Sequence, residues 1–314
     1  DTALRDIDRG FISTIHAFCA RLLRTRPVEA GLDPGFRELM GAEEVRDRRG
    51  FWRTHLERLS ATDDPLVAGL TEVGLTPSQL ESLFDELVSN PDVAFPAEPV
   101  APPAAEEVDA VRSRLDALLD RGAALMPAEP DEKGWDNLQS RIRLLLFLRR
   151  VVDWDDRTVF LDQLGEEVCG RSYDVVQKRW LDRGAAKALS EEWGELRDGA
   201  AVDVLDRWWG HRYPIALEFA RRAADAYEAE RRRTGTLNFQ DLLMLAARLL
   251  RTHPEAREQL GRRYRRVLVD EFQDTDPVQA EVLLLLTSPA DERPWQEAVP
   301  RPGALFVVGD PKQS

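Results

Sequence analysis

The chain reads as an α/β domain interrupted by a large all-α insertion, and so as mostly helical overall. Apolar strand-like runs ending in polar clusters occur only near its two ends. Between them apolar residues recur with helical period and almost no alternation. Toward the C-terminus the order is strand, acidic turn, helix, loop, strand, which is that of an α/β fold. The expected division is 1–34 for the first α/β part, 35–230 for the helical insertion and 231–314 for the second α/β part.

Taken in order, Phe11-Ile12-Ser13 reads as a short strand. A helix follows in which Ile15, Phe18, Cys19, Leu22 and Leu23 recur at i, i+3, i+4, i+7 and i+8, with Ser13 or Thr14 as cap and Pro27 as stop. Thr76-Pro77 opens a helix that Asn90-Pro91 closes. Residues 95–103, rich in proline, predict an extended spacer. Further helices are expected at about 105–121, 136–152, 158–169, 173–183 and 186–197. Most of the tryptophans among them (135, 154, 180, 193, 208 and 209) are expected in the core, although the same residues could stack on bases. A helical hairpin over 238–264 then leads to a strand at 266–270, a helix opened by Asp276-Pro277 and a strand at 304–308.

Composition narrows the function. A formal charge of −14 argues against a protein that coats polyanions non-specifically, but not against local contact with a nucleic-acid strand. Only four basic residues are lysine, which makes Lys312 conspicuous. Cys19 and Cys169 have no CxxC spacing and read as free thiols of a reducing compartment. There is no membrane-length apolar run and no signal-peptide pattern at the start, so a cytoplasmic protein is expected. The missing initiator Met, and a last strand with no following helix to cover it, suggest an internal piece of a longer protein.

Two strand ends carry the chemistry. Val267-Leu268-Val269 runs into Asp270-Glu271, the pairing with which nucleotide-hydrolysing sheets hold magnesium and activate water. Ala304 to Val308 runs into Gly309-Asp310-Pro311-Lys312-Gln313, a tight turn followed by a cation and an amide suited to sensing a phosphate. Each end alone could be an ordinary turn. Ser13, Thr14 and His16 surround a helix N-terminus that could take a nucleic-acid phosphate, or could simply be a capped helix. A thiolate–imidazolium pair of His16 and Cys19 is disfavoured because Cys19 falls on the apolar face. The four histidines lack metal-ligand spacing, and no Gly-Lys dipeptide exists to build a phosphate-cradling loop.

Asp270-Glu271-Phe272-Gln273-Asp274-Thr275 resembles the second motif of UvrD/RecB-like superfamily I DNA helicases. Gly309 to Ser314 resembles their third motif, and Ile12 to Cys19 the segment that touches single-stranded DNA. Leu237-Asn238-Phe239-Gln240-Asp241-Leu242-Leu243 resembles a further family segment, with Asn238 where an acidic residue is frequent. The wording is most similar to the AddA/RecB helicase–nuclease branch; only the first 25 and last 80 or so residues carry it.

The resemblance implies an incomplete RecA-like motor domain using ATP and Mg²⁺. Asp270 would be the magnesium residue and Glu271 the catalytic base and a second metal contact, while Gln273 and Gln313 would couple phosphate to the DNA track. Ser13, Thr14 and His16 would face DNA. Single-stranded and duplex DNA are the implied partners, together with another protein of the helicase/nuclease type. The rival is a non-catalytic interaction module derived from a helicase; a related motor acting on RNA or protein is a third possibility.

Overall fold

A computed structural model describes residues 11–62, 64–291 and 293–310. The chain divides into two compact units: residues 1–54, 86–92 and 223–314 form one, residues 55–85 and 93–222 the other.

The first unit is organised around α1 (Ile15–Thr25), which Thr14 caps by accepting a bond from the Ala17 N–H. After α2 (Pro27–Ala30), the strand β1 (Arg37–Glu38) and α3 (Ala42–Ser60), the chain returns with β2 (Thr236–Leu237) and α11 (Phe239–Thr252). Leu242, Leu243, Ala246, Ala247, Leu249 and Leu250 of α11 are buried at helical spacing and share a core with Cys19, Leu22 and Leu23 of α1. Each leucine so buried contributes about 2 kcal/mol of transfer free energy. The core closes with α12 (Pro254–Arg263) and with α13 (Pro277–Thr287), which supplies Val282, Leu285 and Leu286.

Among the described residues this unit holds two sheets, each of two parallel strands. Arg37 pairs with Thr236 and Glu38 with Leu237. The strand β3 (Val267–Val269) pairs with β4 (Leu305–Val307), Val267 opposite Leu305 and Val269 opposite Val307. The expected strand over Phe11–Ser13 is not formed: these residues lie outside any ladder, and α1 begins at Ile15. Nor is β3 buried, as its apolar run suggests. Leu268 is 75% exposed and Phe306 62% exposed, so no described layer covers that face.

The second unit is helical. It contains α4 (Pro65–Glu72), α6 (Ala105–Leu125), α7 (Asn137–Val151), α8 (Arg157–Gln163) and α9 (Arg183–Leu196). The helices α3, α5 (Glu81–Ser89) and α10 (Val202–Thr234) contribute residues to both units. Thr76 caps a short 3-10 turn, Pro77–Leu80, that runs into α5, and α5 stops at Ser89 as the Asn90-Pro91 pair predicts. Leu115 and Leu119 of α6 meet Ile142 of α7 and Leu189 and Trp193 of α9 in one core. Trp154, Trp180 and Trp208 also belong to it, whereas Trp209 is 43% exposed.

The expected helix at 173–183 is absent apart from a 3-10 turn at Gln177–Arg179. Asp136, buried at the N-terminus of α7, accepts bonds from the Val176 N–H at 2.9 Å and from Trp180 Nε1 at 2.7 Å. That carboxylate ties the segment down as a loop and satisfies its polar groups locally. The proline-rich stretch is likewise held along its length: Arg221 donates to Phe95 O, His211 Nδ1 to Val100 O and Arg157 to Pro103 O.

Candidate functional site

The two strand ends are laced together beyond their ladder. Val308 N–H donates to Val269 O at 2.8 Å, and Val308 O accepts from Phe272 N–H at 2.9 Å. Regular parallel pairing would place the second bond at residue 271, so the acidic strand holds one extra residue, a bulge at the end of the ladder. Glu271 absorbs it in the left-handed region, φ 53 and ψ 43, and is the one non-glycine residue with positive φ among those described. That conformation costs a non-glycine residue about 1–2 kcal/mol. Bulges of this kind re-aim side chains, and here Asp270 and Glu271 both lie exposed at the strand ends.

Local bonds fix the acidic turn. The Asp270 carboxylate accepts from the Glu271 N–H at 3.0 Å. Gln273 Nε2 donates to Glu271 Oε2 at 2.5 Å, and Gln273 Oε1 accepts from the Asp310 N–H at 3.0 Å. Asp270, Glu271 and Gln273 are thus brought together with the backbone of residues 309–310. Gln313, expected to join them, lies outside the described residues.

Two adjacent exposed carboxylates fit Mg²⁺, a hard cation that commonly takes one or two protein carboxylates and completes its shell with phosphate and water. Among the described residues no set of three or more His, Cys, Asp or Glu forms a metal cage. The oxygen-only donors agree with magnesium better than with a transition metal.

The second candidate cluster lies at the start of α1. Thr14 Oγ1 is engaged as the helix cap at 3.3 Å, and Ser13 Oγ donates to Thr14 O at 3.1 Å. Both residues are exposed. The His16 ring packs on Phe239 with centroids 4.6 Å apart. Burial lowers its pKa against the opposing pull of the Asp276 carboxylate, which favours the neutral imidazole. Cys19 is fully buried and its thiol is pushed up to about 12, chiefly by burial, which rules out a thiolate–imidazolium pair with His16.

Asn238, which departs from the acidic residue frequent at its position, is buried and caps α11. Its side chain accepts from the Asp241 N–H at 2.8 Å while Asp241 accepts from the Asn238 N–H at 3.0 Å. Sequence reading singled out Gln273 through its motif as a phosphate-coupling residue but missed that its amide bridges Glu271 and the Asp310 backbone.

Residues 212–314 match the family model of the UvrD/REP helicase N-terminal domain. Nearly the whole chain is similar to an ATP-dependent helicase/nuclease subunit of Lactiplantibacillus plantarum, 26% identical over 96% of this chain and 27% of that protein. The like-named protein of Geobacillus thermodenitrificans is 26% identical over 98% of this chain and 28% of its own length. The RecBCD enzyme subunit RecB of Mycobacterium tuberculosis is 38% identical over 33% of this chain and 9% of that protein. The chain therefore spans about a quarter of the length of the helicase/nuclease relatives it matches along most of its length.

Proposed function

We propose that the chain is part of the first RecA-like motor domain of an ATP-dependent DNA helicase acting in recombination and double-strand break repair. Residues 1–34 and 231–314 would be the motor segments and 35–230 a helical insertion. The observation that carries the reading is the parallel pairing of β3 with β4, which puts the Asp270-Glu271 bulge beside the backbone of residues 309–310. The relatives' names support ATP as the fuel. The exposed apolar face formed by Leu268, Phe306 and Val308 suits a further layer packed on this sheet, as in α/β motors.

In this reading Asp270 binds magnesium and Glu271 takes the proton of the attacking water, while Gln273 and Gln313 report on the terminal phosphate. Bound Mg²⁺ would supply neutralisation of the phosphate charge. Ser13, Thr14 and His16 contact single-stranded DNA. Duplex DNA ahead of them and a second helicase/nuclease protein complete the set of partners. The 314-residue chain alone neither hydrolyses ATP appreciably nor unwinds DNA, since its sequence holds no Gly-x-x-x-x-Gly-Lys-Ser/Thr loop.

The decisive experiment is Glu271→Gln in the full-length protein. ATP binding should persist while DNA-stimulated turnover falls by about 10²–10⁴-fold, the usual contribution of a general base. Unchanged hydrolysis would remove Glu271 from that role.

A further inference from the structure

Gln273 stands between the two strand ends and bonds to both, through Nε2 to Glu271 Oε2 and through Oε1 to the Asp310 N–H. The polarity of each partner is fixed. A backbone N–H can only donate and an ionised carboxylate can only accept, so the amide has one orientation that satisfies both. Glutamate at position 273 would lose the donor, asparagine would lack the reach and an aliphatic residue would lose both bonds.

Two further features fit the bridge. A Cβ built on Gly309 would stand 2.7 Å from Gln273 Oε1 and 3.3 Å from the Gln273 backbone nitrogen, so the absence of a side chain at 309 is what lets the amide seat. Glu271 itself occupies a costly backbone region, and such a residue keeps its conformation only where its surroundings hold it.

We propose that Gln273 is a positioning residue: its amide clamps the Glu271 carboxylate to the backbone of residues 309–310, and Gly309 is the gap that admits it. The clamp makes the two strand ends one body, so a displacement of residues 309–310 reaches the Glu271 carboxylate through a single side chain. This rests on Glu271 being the base proposed above.

The test uses the full-length protein with Gln273→Leu, Gly309→Ala, the double variant and, in parallel, Glu271→Gln. Each single variant should lower the kcat for ATP about 10–100-fold, the scale of a misplaced catalytic group, and leave KM within about twofold. The double variant should be no worse than the poorer single one, because both remove the same bridge. Amide hydrogen exchange at Asp310 should accelerate in Gln273→Leu, a readout independent of turnover. Losses that multiply in the double variant, an unchanged kcat in Gln273→Leu, or unchanged Asp310 exchange would each overturn the clamp. Full turnover in Glu271→Gln would instead overturn the base on which it rests, even where exchange reveals the bridge. Should Gln273→Leu fail to fold, Gln273→Met and Gly309→Ala carry the same comparison.

Discussion

Arg231 grips Asp241 through two parallel bonds, Nε to Oδ2 at 2.8 Å and Nη2 to Oδ1 at 2.9 Å. Arg231 is only 5% exposed, and its guanidinium lies 4.2 Å from the centroid of the Tyr227 ring. Burial works against the charge, yet the bonds to Asp241 hold its pKa above the ordinary arginine value. The pair fixes the end of α10 to the capping box of α11, and so to the segment leading toward the acidic turn.

Removing one partner should be costly because the other is left behind in a poorly solvated place. Arg231→Met is expected to lower unfolding free energy by about 3–5 kcal/mol in urea titrations. Arg231→Lys should recover only part of this, since an ammonium cannot form the two-pronged contact. Equal stability of the Met variant and the parent would show that the pair contributes nothing net.

Glu44 gives a pH signature. Burial raises its pKa above 4.5, with Asp241 adding to the effect and Arg48, Arg231 and the Asn238 side chain opposing it. A carboxyl whose folded pKa is raised stabilises the fold fully below its unfolded pKa, and that contribution is lost as pH climbs through the folded value. Glu44→Gln should therefore be more stable than the parent at neutral pH, the advantage shrinking as pH falls toward 4.5. Denaturant melts across that range check it; an advantage that grows on acidification would contradict the sign.

At position 271 backbone preference and chemistry separate. With φ at 53 the site should rank substitutions by tolerance of the left-handed region, Gly and Asn above Gln, and Gln above Val. A spread of about 2 kcal/mol between Gly and Val is expected in chemical denaturation, while none of the four restores turnover in the full-length protein. A ranking that follows side-chain hydrophobicity would mean that the backbone conformation does not govern the site.

The strand ends were legible because an apolar run meeting Asp270-Glu271, and another meeting Gly309-Asp310, are local patterns. Amphipathic α1, α6 and α11 were legible for the same reason. What escaped depends on partners far along the chain. The loop at 173–183 carries helix-like periodicity, but the Asp136 carboxylate some forty residues earlier takes its polar groups. The β1–β2 ladder is two residues long and leaves no alternation to read. The left-handed backbone of Glu271 gives no sign in a residue type that rarely adopts it.

That short ladder has a consequence for biogenesis. Residues 37 and 236 meet in register, and closing so long a flexible loop, about two hundred residues, costs roughly 5 kcal/mol, more than two ladder bonds offset. Early collapse of the intervening helices shortens the effective separation. During vectorial translation the helical unit leaves the ribosome before β2 can pair, so nascent chains stalled about forty residues past α10, once that helix has cleared the exit tunnel, should resist protease across the helical unit even where β1 and β2 have not yet joined.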